Sequence, residues 1–243
     1  MSDDRITRRA ALGITAGVLV GGVAACSSSS SNTKRDGLIV DGRNGSDAPG
    51  SDAASCKVYT QQTEGPYYLD KALDRKDITE GKQGTALELT IRALDAAGGC
   101  APLSGIIVDI WHCDADGVYS GYPGQLGNLD TTGKTFLRGS QSTDSKGEAT
   151  FTTIYPGWYP GRTTHIHFKV HKTATAEATS QLYFPEDINS AVYKTGVYAA
   201  RGDKDTANSA DGIATSGGKE QAPLVTLEKS GSGYKGLLVV VVA

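Results

Sequence analysis

The pattern that most constrains the fold is a series of short apolar segments, the clearest of which alternates apolar and polar residues from Leu87 to Leu94. Such alternation predicts a strand with one face in a core. Comparable segments recur as GIIVDIWHC, EATFTTIYP, HIHFKVHK, SQLYFP and KGLLVVVVA, with glycine and proline between them. A short helix is the alternative for ATAEATSQL, and the last apolar run, Leu237–Val242, predicts a strand buried on both faces. We therefore expect an all-β fold, an antiparallel β-sandwich.

Two connections are much longer than the turns between the other strands. One runs from Tyr119 to Glu148 and the other from Tyr193 to Pro223. Loops of this length in a compact domain usually carry function or move. The predicted sandwich therefore has long functional loops.

The first 25 residues predict an export signal rather than part of the fold. Arg8 and Arg9 precede an apolar stretch, Ala10–Ala25, that has the length of a signal core and is short for a membrane span. The arginine pair resembles a twin-arginine signal, and VAAC, which ends at Cys26, resembles a bacterial lipobox. We expect a lipid on Cys26; the alternative is an ordinary cleaved signal.

Residues 26–55 are rich in Ser, Gly and Asp and predict a flexible tether, because such a segment buries too little apolar surface to order itself. Residues 56–243 then form the folded domain, in a bacterial cell-envelope lipoprotein or a secreted protein. The chain has 24 basic and 27 acidic residues and a net charge of −3. This balance argues against a nucleic-acid partner, so membrane contact is expected only through Cys26.

Three further cysteines lie in an exported chain, where disulfides are permitted. Cys100 and Cys113 flank the predicted strand GIIVDIW, which holds its ends roughly 20 Å apart, whereas a disulfide needs Cα atoms within about 7 Å. Pairing of these two is therefore disfavoured. Cys56 is expected to pair with one of them, and the sequence does not choose which.

His165 and His167 are two of only four histidines and predict a metal site. On a strand, residues two positions apart face the same side, so the two imidazoles point the same way. Two exposed polar residues on an edge strand are the alternative. A cupin also uses this pattern, but it needs a glutamate where this chain has His171 and Lys172.

Two tyrosines, Tyr119 and Tyr159, accompany the histidines, and their type indicates the metal. Most tyrosines are packing residues, and we expect this for Tyr183 and Tyr193. A phenol with a reference pKa near 10 is a poor ligand for zinc, but a trivalent, hard cation holds it as phenolate. Fe(III) with two tyrosinates and one hydroxide is electrically neutral.

Four motifs in order resemble those of the intradiol ring-cleavage dioxygenases, the family of catechol 1,2-dioxygenase and protocatechuate 3,4-dioxygenase, and especially their secreted relatives. The motifs are QTEGPYY (Gln62–Tyr68), GIIVDIWHCDADGVYSGY (Gly105–Tyr122), FLRGSQSTDSKGEATFTTIYPGWY (Phe136–Tyr159) and GRTTHIH (Gly161–His167). The resemblance implies an Fe(III) enzyme that opens a catechol-type ring between its two hydroxyl-bearing carbons and inserts both atoms of O2.

The resemblance also implies a role for each matching residue. The metal ligands are Tyr119, Tyr159, His165 and His167. Arg162 stabilises developing negative charge and Gln181 orients the intermediate; Tyr119 also takes a substrate proton, and Tyr67 lies in the substrate pocket. His112 and His171 are not assigned to the metal.

Two departures from the family pattern bear on substrate and assembly. Only five residues separate Tyr159 from His165, where those enzymes have a longer loop, so the substrate is a catechol whose identity stays open. The helical linker by which catechol 1,2-dioxygenases dimerise has no counterpart, so the oligomeric state also stays open. The alternative function is a non-catalytic β-sandwich binding module on a lipid tether.

Overall fold

The structure, a computed structural model, describes residues 56–71, 73–173, 177–216 and 222–243. The predicted export signal (1–25), the tether (26–55) and the lipid site at Cys26 lie outside the described residues. The strands are β1 (Ala86–Asp95), β2 (Ala101–Pro102), β3 (Ile107–Trp111), β4 (Arg138–Ser142), β5 (Glu148–Ile154), β6 (His165–His171), β7 (Glu177–Tyr183), β8 (Thr226–Ser230) and β9 (Gly233–Val242). The helices are α1 (Glu186–Val192) and two 3-10 turns, Gly196–Tyr198 and Asn208–Ala210. None of the helices in these ranges is long and apolar enough to cross a membrane.

The strands form two sheets, which confirms the predicted all-β sandwich. The first sheet has the order β4-β3-β6-β7 and is antiparallel throughout. The second has the order β2-β1-β9-β8, and β5 also pairs with β1. This second sheet is mixed, because β1 and β9 run parallel over nine residue pairs from Leu87–Tyr234 to Asp95–Val242. Alternation along a strand encodes which face is buried, not the direction of its neighbour.

The core lies between the two sheets and follows the predicted alternation. On β1, Leu87, Leu89 and Ile91 are buried while the residues between them are partly exposed. From the first sheet, β3 contributes Val108 and Ile110, and β6 contributes every second residue. This leaves the other face of β6 to be covered by something other than a sheet.

Two expectations about single segments were wrong. The first long connection, predicted from Tyr119 to Glu148, contains strand β4. The last apolar run was predicted to be buried on both faces. On β9, Leu238, Val240 and Val242 are buried, but Val239 is 42% exposed, because it points away from the core.

The strand predicted for SQLYFP is confirmed within β7. The alternative of a helix is excluded for Glu177–Tyr183, because this segment makes a full antiparallel ladder with β6, and such pairing outweighs the weak helix preference of alanine. Residues 174–176 lie outside the described part.

The cysteine pairing left open by the sequence is Cys56–Cys100, with a Cα–Cα distance of 5.9 Å. Cys113 is a buried free thiol. The disulfide joins the start of the described chain to the turn that follows β1. It therefore fixes the point at which the preceding residues enter the domain.

Candidate metal centre

Strand β6 positions the two histidines by its alternation. Ile166, Phe168 and Val170 enter the core, so His165 and His167 lie on the opposite face. Both imidazoles are nevertheless only 2% exposed. Loops that carry aromatic residues cover this face, and an aromatic cluster of Trp111, Cys113 and Tyr119, with Tyr67, Tyr68 and Tyr159 packed against it, lies beside the histidines.

His165 is the point on which the predicted tyrosines converge. Its Nδ1 donates to the Thr163 carbonyl oxygen at 2.6 Å, which leaves Nε2 with a free lone pair. The Tyr119 Oη lies 3.3 Å from that Nε2, and the Tyr159 Oη lies 3.1 Å from it. Two phenol oxygens and one imidazole nitrogen therefore occupy a single small volume.

His167 completes the set from two residues along the strand. Its ring stacks on Trp111 with centroids 5.1 Å apart and an interplanar angle of 11°, and it lies edge-on to His165 at 4.9 Å. Its Nδ1 is buried and has no hydrogen-bond partner among the described residues. A buried polar atom without a partner is costly in a finished core and is expected where a ligand is bound.

Close backbone packing between two loops brings the tyrosines together. Gly117 precedes Tyr119 with φ +82°, and a Cβ there would lie 2.2 Å from the Trp158 carbonyl oxygen. Gly157 precedes Tyr159, and a Cβ there would lie 2.4 Å from the Ala115 carbonyl oxygen. Only glycine permits this approach from both sides. The two glycines therefore set the spacing of the two phenols.

Each tyrosine is also fixed by a further contact. The Gln125 side chain accepts from the Tyr119 backbone N–H at 2.7 Å and donates to its carbonyl oxygen at 2.7 Å. The Arg162 backbone N–H donates to the Tyr159 carbonyl oxygen at 3.1 Å, which closes a tight turn. Tyr119 is fully buried, whereas Tyr159 is partly exposed.

Burial sets the protonation of all four groups. It raises the pKa of Tyr159 to about 12, and burial with the neighbouring Tyr159 raises the pKa of Tyr119 well above 10. Burial and the Arg162 charge lower the pKa of His165 to about 3, and burial with the adjacent His165 lowers the pKa of His167 far below 6.5. Without a cation the set is neutral, so metal binding must release protons from the phenols.

The donor set fits a hard trivalent cation. Two imidazoles and two phenols supply nitrogen and anionic oxygen, which ferric iron accepts. Within the described ranges, no three His, Cys, Asp or Glu side chains are grouped closely enough to hold a metal ion. A metal at this centre therefore has to use the tyrosines.

Arg162 and Gln181 lie at the edge of the centre, bonded to each other. The Arg162 Nη2 donates to the Gln181 Oε1 at 2.5 Å, and its Nη1 lies 3.5 Å from the Tyr159 Oη. The Gln181 Nε2 donates to the Thr63 carbonyl oxygen at 2.9 Å. The side-chain amide of Gln181 is therefore held in one orientation by its neighbours.

Comparison with known proteins bears directly on this arrangement. Residues 63–206, more than half of the chain, match the protein family described as "Dioxygenase". The chain belongs to the intradiol ring-cleavage dioxygenase family. This family uses non-haem iron, in agreement with the donor set.

Two curated relatives in the family align with only part of this chain and of their own chains. The chain is 28% identical over 144 residues to the chlorocatechol 1,2-dioxygenase of a Pseudomonas species, across 50% of this chain and 53% of that protein. It is 33% identical over 141 residues to the protocatechuate 3,4-dioxygenase beta chain of Burkholderia cepacia, across 54% of this chain and 57% of that protein. The chain thus spans about half the length of these curated relatives.

The match to a solved structure in the family extends over more of both chains. The intradiol ring-cleavage dioxygenase from Tetranychus urticae superimposes with a TM-score of 0.68 at 28% identity, over 77% of this chain and 95% of that chain. The shared part therefore includes nearly the whole of that protein. The sandwich is therefore shared with that protein.

Tyr67, the predicted substrate residue, lies directly on a predicted ligand. Its ring stacks on Tyr119 with centroids 4.5 Å apart and an interplanar angle of 20°. The buried Arg138 holds it there, because its guanidinium donates to the Tyr67 carbonyl oxygen at 2.6 Å and to the Ser120 carbonyl oxygen at 2.6 Å. Tyr67 therefore forms one wall of the centre.

The two remaining histidines lie outside this group of contacts. His112 bonds to the Cys113 carbonyl oxygen and the Thr153 hydroxyl, and His171 bonds to Asp109. Neither makes a contact with the four predicted ligands among these bonds.

Sequence reasoning missed three supporting residues: Gln125, Arg138 and Asp211. Gln125 and Arg138 both lie in the first long connection predicted from the sequence. The Gln125 side chain bonds to backbone atoms of Tyr119 six residues away, and Arg138 bonds to the Tyr67 carbonyl oxygen 71 residues away. Asp211 binds Arg162 and lies in the second long loop, beyond the last residue of the family match. The length of that loop was the only signal for it.

Proposed function

We propose that this protein is a non-haem Fe(III) dioxygenase that cleaves catechol-type rings between the two hydroxyl-bearing carbons and inserts both atoms of O2. The observation that carries the proposal is the convergence of Tyr119 and Tyr159 on the His165 Nε2, with His167 beside it. The names of the two curated relatives refer to chlorocatechol and protocatechuate, both catechols. A catechol-type substrate and O2 therefore fit the family.

The four ligands would be Tyr119, Tyr159, His165 and His167. When bound, Fe(III) supplies Lewis acidity that holds both phenols as phenolates and activates the substrate ring toward O2. The His165 Nδ1–H bond to Thr163 keeps Nε2 available as a ligand atom. The two tyrosinates would supply two of the three negative charges that balance the cation.

The tyrosines also provide a base for the substrate. A catechol that binds through both oxygens must lose two protons, and a phenolate side chain beside it can accept one of them. The family resemblance assigns this step to Tyr119. Tyr119 is fully buried against Tyr67, whereas Tyr159 is partly exposed. Comparison of Tyr119→Phe with Tyr159→Phe therefore tests which of the two tyrosines takes the substrate proton.

Arg162 supplies positive charge at the edge of the centre. Its Nη1 is directed at the Tyr159 hydroxyl, so it can stabilise negative charge that develops beside that phenol. Gln181 orients this guanidinium through its Oε1 and keeps one amide hydrogen free of the Thr63 bond. The family resemblance assigns Tyr67 to the substrate pocket, and its ring stacks on Tyr119 beside the centre.

The test is a measurement of iron, colour and product on the same preparation. We expect about one ferric ion per chain, visible absorption from tyrosinate-to-iron charge transfer, and cis,cis-muconate from catechol with both oxygen atoms derived from labelled O2. Oxygen uptake with catechol, hydroxyquinol, protocatechuate and chlorinated catechols ranks the substrates. Tyr159→Phe should shift or bleach the band and weaken iron binding.

Two results would contradict the proposal. A colourless, iron-free protein prepared with iron supplied removes the metal, and a muconic semialdehyde from catechol replaces intradiol by extradiol chemistry. The alternative, a non-catalytic binding module, is disfavoured because the four predicted ligand side chains lie close together.

We also propose that the protein is an exported lipoprotein with three parts: a signal (1–25), a tether (26–55) and the dioxygenase domain (56–243). The lipobox-like VAAC supports it, and the Cys56–Cys100 disulfide is expected in an oxidising compartment. Cys26→Ser should abolish the lipid mass and release the protein from membranes. Native protein that starts elsewhere and carries no lipid would contradict it.

A further inference from the structure

We propose that Asp211 is the positioning residue for Arg162, and that it fixes the guanidinium against the iron-binding tyrosine. The inference rests on the proposed dioxygenase function, since Arg162 acts in that reaction. Asp211 lies outside residues 63–206, the part that matches the family. Its role therefore comes from the contacts in this structure alone.

The Asp211 carboxylate is built into the fold. Its side chain is 1% exposed, and three backbone N–H groups donate to it. Thr163 donates to Oδ2 at 2.9 Å, while Ile213 and Ala214 donate to Oδ1 at 2.8 and 3.1 Å. A carboxylate held by three amides cannot turn, so the charge it offers to a fourth donor has a fixed position.

That fourth donor is the Nε of Arg162, at 2.8 Å from Oδ2. A guanidinium is planar, so a bond at Nε and a bond from Nη2 to Gln181 determine the plane in which Nη1 lies. Nη1 is the nitrogen nearest the Tyr159 Oη, at 3.5 Å. Without Asp211, only the bond to Gln181 and the long contact to Tyr159 would hold the guanidinium, and its plane would be less fixed.

The loop that carries Asp211 is itself held near the centre. Asn208 accepts from the Thr163 hydroxyl at 2.6 Å and donates to the Phe184 carbonyl oxygen at 2.8 Å. The same loop contains Asp205, an exposed residue that accepts from the Gly161 backbone N–H at 3.3 Å. Asp205 thus touches the same segment as Asp211 but has no bond to Arg162, which makes it a matched control.

The charge of the pair explains why an aspartate is needed. Arg162 is a largely buried cation next to a centre that binds another cation, and Asp211 offsets its charge while leaving Nη1 free. Loss of a residue that orients a catalytic group typically lowers activity by roughly 10- to 100-fold. Loss of the charged donor itself costs roughly 100- to 1,000-fold.

The experiment is a double-mutant cycle in the iron-loaded full chain, with Asp211→Asn, Arg162→Ala, the double variant and Asp205→Asn. We expect Asp211→Asn to lower kcat by roughly 10- to 100-fold with KM changed little, and to keep the iron content and the visible band. Because Asp211 acts through Arg162, the kcat of the double variant should be at most about threefold lower than that of Arg162→Ala. Asp205→Asn should match wild type.

Rescue by guanidinium ion is a second readout that damage to the fold would not produce. In Arg162→Ala the space beside Asp211 is open, so added guanidinium should restore part of the lost turnover. It should not do so in the double variant. The rescue of Arg162→Ala itself needs only that variant to fold, so its absence would count against Asp211 even where Asp211→Asn does not fold.

The outcomes separate the two proposals. Losses that multiply in the double variant, or no rescue of Arg162→Ala, would overturn the role of Asp211. Wild type that neither shifts its spectrum with 4-nitrocatechol nor consumes oxygen with any catechol would instead overturn the proposed function. Wild-type turnover with a non-additive cycle supports both.

Discussion

Along strand β6 (His165–His171), side chains that alternate within seven residues enter two different environments. Ile166, Phe168 and Val170 pack into the core between the sheets. His165, His167 and Lys169 are on the opposite face and are also buried, at 2%, 2% and 5% exposure. Both faces exclude water, but the second sheet covers one and loops cover the other.

The difference lies in what does the covering. A sheet presents a regular apolar surface. The inward face of β6, which carries Ile166, Phe168 and Val170, therefore needs only apolar side chains of the right shape. The loops present phenols, carboxylates and guanidinium groups, so the outward face buries polar side chains against specific partners. Lys169, for example, lies between Glu64 and Glu177 at 3.0 and 3.2 Å. Substitutions on the two faces should therefore fail in different ways.

The largest effect is expected on the outward face from His165→Ala. It removes the nitrogen on which both phenols converge, so iron binding should be lost. Removal of one charge-stabilising donor lowers kcat by up to roughly 1,000-fold. The loss of turnover in His165→Ala should be at least this large, because the whole Lewis acid is lost. Metal analysis, the visible spectrum and oxygen uptake check this. Wild-type iron content in this variant would remove His165 from the ligand set.

A smaller effect, of another kind, is expected on the inward face from Phe168→Ala. Phe168 is fully buried and packs edge-on against Tyr59 with ring centroids 5.4 Å apart. Its truncation should lower the free energy of unfolding by about 3–5 kcal/mol, measured by urea titration. The protein that remains folded should still bind iron. A variant that loses iron while its stability is unchanged would mean that the two faces are not independent.

The smallest effect is expected when the pH is lowered. It concerns His112, a buried histidine that does not lie on β6. Burial lowers the pKa of His112 to about 4, against about 6.5 when the chain is unfolded. The unfolded chain therefore takes up the proton first, and stability is lost as pH falls from 6.5 toward 4. Between pH 7 and pH 5 this costs about 2 kcal/mol.

The control for this prediction is His112→Asn. Its amide can donate to the Cys113 carbonyl oxygen as the imidazole does, but it does not titrate. The difference in unfolding free energy between pH 7 and pH 5 should be about 2 kcal/mol smaller in this variant. Equal pH dependence in both proteins would show that the pKa of His112 is the same in the folded and unfolded chain. Other carboxyl and imidazole groups contribute equally to the two proteins and cancel.

The sequence predicted those parts of the centre that depend on local geometry or on ordered motifs. A strand repeats every two residues, so His165 and His167 had to share a face. The motif resemblance brought Tyr119 and Tyr159 to the same centre, and the structure places both phenols beside His165. Strand β7 was ambiguous, because its alanines and polar residues carry no strong periodicity and only its pairing with β6 decides its form.

By itself, the sequence determined the sandwich class, the face on which the histidines lie and the donor types that a metal would meet. Only the tertiary structure decided the parallel pairing of β1 with β9, the Cys56–Cys100 disulfide and the bond from Arg162 to Asp211. The physical reason is range. Alternation and turn chemistry act over a few residues, whereas Asp211 meets Arg162 across 49 positions because two loops pack together above the sheet.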